Sequence, residues 1–491
     1  MDYETVIGLE IHAQLLTKSK MFCSCAADYQ DSRPNTFVCP ICMGMPGVMP
    51  KINRLAVEHV VKTGLALNCN ISEYSKFDRK NYHYPDLLKA YQISQFDLPL
   101  ALNGKLSVET DEGQEKLINI NRIHLEEDTA KLMHRRDSQG NGYTLMDMNR
   151  AGVPLMEIVS EPEMNSPFEA RSYLQRVHQI VKYVETSSAN MEEGNFRCDA
   201  NISLRPIGEI NLGTKVEIKN MNSFRSVFNA LVYEQLRQAK LLDAGEKIEQ
   251  ETRGWNEEKQ TTFSQRSKEF AHDYRYFPEP DLLPVALSKN QISDLGALIP
   301  ELPSQRVNRY IDLYDLEMDT ALLITSEKAT SDFFDASVDL LDNNSKVDKS
   351  LVKQVSNWII TNLFSLMNSE GKVISEILVQ PSHLVELITL INDGSLSYNM
   401  ANDVFKMVYE TGRDPAEIVK EQGLVQISDN TILEDAVSRI IDENPKSVSD
   451  YFQGKEAVVG FFIGQIMRET KGTANPKIAR EIVISHLEAI R

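Results

Sequence analysis

The sequence predicts an α+β fold: a mostly antiparallel sheet with helices set among its strands, followed by a helical region. Three observations predict it. Several stretches in the first 290 residues alternate apolar and polar side chains with a period of two, the pattern of a strand with one buried face. Two longer stretches in the same region combine helix start signals with an apolar stripe of helical period. Beyond about residue 290 nearly every segment has helical period.

The first strand is VIGLEIHAQL, residues 6–15. Ile7, Leu9, Ile11 and Ala13 alternate with Gly8, Glu10, His12 and Gln14, so the second set shares one face. Such a face is ordinarily solvated, but a carboxylate, an imidazole and an amide in a row also suit a polar or metal site. Further strands are expected over 116–125, 196–205 and 214–219. In the third of these four, Phe196, Cys198, Ala200, Ile202 and Leu204 alternate with Arg197, Asp199, Asn201 and Ser203. The helix SPFEARSYLQRVHQIVKYVE starts with Ser166 as N-cap and Pro167 at its first position, and Leu174, Val177, Val181 and Val184 form its stripe. A second helix covers 223–242 and stops at Asp243-Ala-Gly245. Prolines 278, 280, 284, 300 and 303 mark a connecting region. Asn392-Asp-Gly394-Ser then breaks the helical part before a last block punctuated by TGRDP, ENPKS and KGTANP.

At 491 residues the chain has room for two to four domains. It contains no run of about 18 uncharged apolar residues, so no membrane span is expected. Its N-terminus carries acids where a signal peptide carries bases, which points to the cytoplasm. The net charge of −19 argues against indiscriminate binding of nucleic-acid backbones, while leaving room for a local basic patch.

Three constellations could carry chemistry. Cys23, Cys25, Cys39 and Cys42 form two close pairs that can close tetrahedrally on a structural zinc; the plainer alternative is four reduced thiols in a loop. Residues 77–95, FDRKNYHYPDLLKAYQISQ, interleave Arg79, Lys80 and Lys89 with Tyr82, His83, Tyr84 and Tyr91. Cations clamp phosphate or carboxylate and aromatic rings stack or cover, although a solvated loop has the same composition. Finally, IHLEEDTAKL and DMNRAGVPLMEIVSEPEM offer Glu126, Glu127, Asp128, Glu157 and Glu161 as oxygen ligands to join Glu10 and His12. Mg²⁺ suits oxygen ligands, and the histidine leaves Mn²⁺ open. There is no GxxxxGK[ST], GxSxG, kinase signature or HExxH, so any ATP phosphates must be held some other way.

Taken in order, VIGLEIHAQL, PNTFVCPICMGMPGVMP, FDRKNYHYPDLLKAYQISQ, RIHLEEDTAKL, NRAGVPLMEIVSEPEM, RCDANISLRP, KVEIKNMNSF and AHDYRYFPEPDLLP closely resemble the GatB family of glutamyl/aspartyl-tRNA amidotransferase subunits. The tail GKEAVVGFFIGQIMRETKGTANP resembles that family's YqeY-like domain. The resemblance implies a cradle-shaped α+β catalytic domain over 1–292, a helical domain over 293–394 and a helical, tRNA-binding tail over 395–491. It implies a carbon–nitrogen ligase with glutamine as amide donor. ATP phosphorylates the side-chain carboxylate of Glu-tRNA(Gln) or Asp-tRNA(Asn), and ammonia displaces the phosphate. Implied partners are the GatA glutaminase and the small GatC protein in a heterotrimer, besides the mischarged tRNA. Implied cofactors are ATP, Mg²⁺ or Mn²⁺, and structural Zn²⁺. By the same resemblance Glu10, His12 and Glu126, with Glu157, bind the catalytic metal. Arg79, Lys80 and Lys89 serve ATP phosphates or the aminoacyl end, with Tyr82 and Tyr91 lining the site. A competing reading is a non-catalytic tRNA-binding scaffold, in which Arg468, Lys471, Lys477 and Arg480 of the tail would dominate.

Overall fold

A computed structural model describes residues 3–267, 274–341, 348–424, 430–452, 455, 458–469 and 476–490. The chain divides into two compact units, Met1–Pro303 and Ser304–Arg491.

The first unit is built on a nine-stranded sheet. Its strands lie in the order Thr261–Ser267, Glu251–Asn256, Val216–Met221, Phe196–Pro206, Tyr3–Gln14, Pro154–Ser160, Glu115–Glu127, Ala101–Glu109 and Asn70–Ile71. Every pairing is antiparallel except that between Val216–Met221 and Glu251–Asn256. All four expected strands are present, each within a few residues of its expected ends. One face carries Ile7, Leu9, Ile11, Ala13, Ile123, Leu125, Ala200 and Ile202 into the core, all at most 1% exposed. Helices Pro167–Tyr183 and Phe224–Asp243 cover that face with Tyr173, Leu174, Val177, Val227 and Leu231. Ser166 and Ser223 cap them, each accepting a bond from a first-turn backbone N–H. Truncating a core side chain such as Ile11 to alanine is expected to cost about 2–5 kcal/mol.

Two further features of this unit position the site. Asp78–Asn81 and Tyr91–Ser94 pair as a small sheet with Phe277–Pro278, so the 77–95 stretch is partly strand rather than all loop. Lys131–Arg136 and Gly142–Asp147 form a separate two-stranded hairpin, inserted between the strands Glu115–Glu127 and Pro154–Ser160.

The second unit is helical, as expected. One core runs from Val307 through Phe334, Ile359, Leu384, Met400, Phe405 and Val408 to Val419; another joins Val437, Ile440, Phe462, Ile466, Val483 and Leu487. The expected boundary at 394/395 falls inside the first of these cores. Helices Pro381–Asn392 and Tyr398–Thr411 bury side chains together, and Asn392-Asp-Gly394-Ser is a tight turn between them. Of the tail cations, Lys471 and the Lys477 side chain lie outside the described residues, as do Ala271–Asp273 of the AHDYRYFPEPDLLP motif.

Candidate active site

Strand register builds the site. His12 faces Glu157 across one strand pair, and Glu157 faces His124 across the next. Three segments distant in sequence thus set an imidazole, a carboxylate and an imidazole in one row on the polar face of the sheet. Glu126 lies two residues beyond His124, on the same face. His12 Nε2 is 3.4 Å from Glu157 Oε2 and 4.0 Å from Glu126 Oε1. His124 Nε2 is 3.3 Å from Glu157 Oε2 and 3.8 Å from Glu126 Oε2. Both carboxylates are buried, while His12 keeps a side chain 19% exposed and opens the cluster to solvent.

The electrostatics follow from burying opposite charges together. Burial works against a charged His124, but Glu157 and Glu126 outweigh it and raise its pKa to about 9. His12 is raised as well, because Glu157 and Glu126 outweigh its burial. Glu157 is held well below the usual carboxylate range against its burial, by His124 and His12. Glu126 is lowered against its burial by His124 and by Lys80, whose own pKa the two carboxylates raise in return. Lys80 therefore belongs to this cluster.

Arg79 does not. Successive residues of a strand point to opposite faces, so its neighbour Lys80 looks elsewhere. Arg79 makes a two-pronged ion pair with buried Glu279, at 2.7 and 2.8 Å, and lies 4.3 Å over the ring of Tyr91. Lys89 pairs with Glu127, which also accepts from Ile93 N. Arg79, Lys89, Tyr91 and Glu127 line a cavity of about 290 Å³ together with Cys23, Cys42 and Lys20. The three cations read together from the sequence are thus divided between two places. Tyr82 bonds Gln92 at 3.4 Å and meets Tyr274 edge to face.

Glu10 stands two residues before His12 but outside the His12–Glu126–Glu157 group; it accepts from Asn201 Nδ2 at 3.0 Å. Gln14 gains a role: its amide donates to Asp128 at 2.8 Å and to Tyr29 at 3.2 Å. Asp128 also pairs with Arg197 at 3.1 Å and Arg150 at 3.7 Å. Glu161 accepts from Asn121 at 2.6 Å.

The four thiols do converge. Cys42 Sγ lies 3.4 Å from Cys23, 3.5 Å from Cys39 and 3.7 Å from Cys25. A tetrahedral zinc with Zn–S bonds of about 2.3 Å would space its sulfurs about 3.8 Å apart. The fully buried Lys20 stands 3.9 Å from Cys42 and donates to the carbonyls of Phe37 and Met148. Cys23 and then Lys20 offset the burial of the Cys42 thiol and lower its pKa to about 4. Gly44 turns the loop at φ +62°, where a Cβ would strike the Lys89 stem at 2.2 Å.

Residues 5–293 match the model of the GatB/GatE catalytic domain, and 339–487 match that of the GatB domain. The chain belongs to the GatB/GatE family. It is 52% identical over 489 residues to the GatB-type component of the aspartyl/glutamyl-tRNA(Asn/Gln) amidotransferase of Dehalococcoides mccartyi, covering 99% of each chain. It is 51% identical to the same component of the Thermomicrobium roseum amidotransferase over 99% of each chain. Identity to that of Thermodesulfovibrio yellowstonii is 50%, over 99% of this chain and all of the other.

Both clusters of this GatB-family chain fall within the matched catalytic region. His12, Glu126 and Glu157 each offer a ligand atom within 4.8 Å of the others. Glu126 Oε2 is buried without a hydrogen-bond partner among the described residues, so a carboxylate oxygen is left for an ion. This donor set fits a divalent cation of the Mg²⁺ or Mn²⁺ type. His124 shares the parity of Glu126, but a lone imidazole on a strand gives no signal of its own in the sequence. Glu279, the partner of Arg79, stands 200 residues away and left no local signal. Among the described residues no helix is long and apolar enough to cross a membrane.

Proposed function

We propose that this chain is the carboxylate-activating component of a tRNA-dependent amidotransferase. Its substrates are glutamate on tRNA(Gln), aspartate on tRNA(Asn), or both. The observation that carries this reading is the buried His12–Glu126–Glu157 group, with His124 and Lys80 beside it, inside the region that matches the GatB/GatE catalytic domain.

A side-chain carboxylate resists ammonia because its oxygen is a poor leaving group. One carboxylate oxygen bonds to the γ-phosphorus of ATP, the bond from that phosphorus to the β–γ bridging oxygen breaks, and ADP departs. Ammonia then bonds to the acyl carbon, phosphate leaves with the carbon–oxygen electron pair, and nitrogen loses a proton to give the amide. Phosphoryl transfer needs positioning and charge neutralisation above all. His12, Glu126 and Glu157 would hold a divalent cation, which when bound neutralises phosphate charge. Lys80 supplies a fixed ammonium at the same place, kept charged by Glu126 and Glu157. His124 orients Glu157 and Glu126 from the row behind. Arg79 and Lys89, each tied to a buried carboxylate, shape the neighbouring cavity rather than meet phosphate.

Ammonia would come from a glutaminase partner held by a small third protein. Cys23, Cys25, Cys39 and Cys42 would hold one zinc in a closed site that shapes the loop around the cavity. A scaffold with no chemistry of its own leaves two buried carboxylates on a sheet face unexplained.

The test is to give the assembled complex ATP and Glu-tRNA(Gln) without glutamine or ammonia. ADP release that depends on the mischarged tRNA is expected from the wild type and not from Glu126→Gln. Release independent of the aminoacyl group would sink the reading.

A further inference from the structure

We propose that the hairpin formed by Lys131–Arg136 and Gly142–Asp147 is an RNA-contacting arm, whose cations Lys131, Arg135 and Arg136 meet the phosphate backbone of the tRNA leading to the active site. The inference rests on the functional reading above, because it takes the substrate to be an aminoacyl-tRNA.

Four observations carry it. First, placement: the arm is inserted directly between the two strands that hold Glu126 and Glu157. The arm springs from the strand ends at Glu127 and Pro154, one residue from Glu126, so a polyanion whose 3′ end reaches that cluster comes close to its root. Six residues per strand give the arm a reach of about 20 Å.

Second, rigidity at the root. Asn35 donates from its backbone N–H to Asp147 at 3.0 Å and from Nδ2 to the carbonyl of Met146 at 3.2 Å, and accepts from Met148 N at 2.8 Å. Arg150 donates to the carbonyls of Thr129 and Ala130 at 2.9 and 3.0 Å. The arm is thus pinned to the polar network around Asp128.

Third, charge. In a chain of net charge −19, the arm's two acids are already occupied by local N–H groups. Asp137 accepts from the backbone of Gln139 and Asn141, and Asp147 from that of Asn35 and Asn149. Lys131, Arg135 and Arg136 are exposed, and among the described residues none has a carboxylate at ion-pair distance. Such cations are available to phosphates.

Fourth, an unpartnered sheet. Among the described residues the arm's two strands pair only with each other, and an isolated two-stranded ribbon is marginal in water. Tyr143 and Leu145 are 47% and 48% exposed, with Tyr143 directly opposite Arg135. An exposed ring beside a guanidinium is a surface on which a base or ribose can rest.

The experiment measures binding of a tRNA(Gln) transcript to the assembled complex by fluorescence anisotropy, from about 50 to about 200 mM salt, where backbone contacts dominate the salt dependence. The variant Lys131→Ala/Arg135→Ala/Arg136→Ala is expected to weaken Kd about tenfold at low salt and to flatten the slope of log Kd against log salt by about three, near one per lost contact. Arg135→Lys/Arg136→Lys, which keeps the charges, should retain the wild-type slope. An unchanged Kd and slope in the triple variant overturns the inference alone. So does a triple variant that falls apart from its protein partners while its assembled fraction binds tRNA normally, since the arm would then dock protein. A wild-type complex that binds no tRNA would overturn this inference and the functional reading together.

Discussion

The two candidate metal clusters of the catalytic unit are opposites in construction. The four thiols come from one stretch of twenty residues, lie in a loop and depend on that loop's turns, such as the left-handed Gly44. His12, Glu126 and Glu157 come from three strands and depend on the register of a nine-stranded sheet. A loop site without sheet or helix around it draws its order from the ion it holds. A sheet site inherits its order from the core beneath it, where Ile11, Ile123, Leu125 and Ile158 are fully buried. Loss of metal should therefore unfold one region and silence the other.

The largest effect should come at the sheet. Glu157→Gln is expected to lower kcat/KM for amide formation by roughly 10³-fold or more, since on the proposed reading it removes a ligand of the cation that would neutralise phosphate charge. Glu10→Gln, which touches Asn201 rather than the cluster, should lose far less, on the order of tenfold. Equal losses in steady-state assays would mean that the site extends along the first strand.

Next comes the loop. Wild type should carry one zinc equivalent in elemental analysis; Cys42→Ser should lose it and lower stability by several kcal/mol, read as a drop in melting temperature. Folded protein at low temperature should keep most of its ADP release. Loss of chemistry with the fold intact would erase the contrast between the two clusters.

The smallest effect is a pH dependence of chelated protein. His124 has a folded-state pKa near 9 against 6.5 for a free imidazole. Its protonated form therefore contributes stability that is complete below about pH 6.5 and is lost as pH rises through about 9, for a total of roughly 3 kcal/mol. The melting temperature of chelated wild type should fall across that window, and that of His124→Gln should be flatter. A flat wild-type profile would contradict the ion network.

These contrasts also explain what could be read in the sequence. The convergence of the four thiols was legible because they are close in sequence. The one-sided strands and the capped helices were legible because parity and caps are local too. Strand order is not local, so Glu10 and His12 looked equivalent until pairing placed His12, and not Glu10, beside Glu157. Arg79 and Lys80 read as one basic cluster, but a strand of period two sends them to different faces, and the partner that claims Arg79 lies far along the chain. The turn at Gly394 looked like a domain boundary because turn chemistry is the same inside a helical core as between two of them. The expectation that the polar face of the first strand meets a metal rests on the family resemblance; periodicity shows only that its side chains share a side.

The most direct measurement is Mn²⁺ binding followed by electron paramagnetic resonance, using the assembled complex with its zinc loop loaded. Wild type should show one protein-bound Mn²⁺ that Glu157→Gln and His12→Ala lose and Glu10→Gln largely retains. Unchanged Mn²⁺ binding in both Glu157→Gln and His12→Ala would contradict the assignment of the sheet cluster as the metal site.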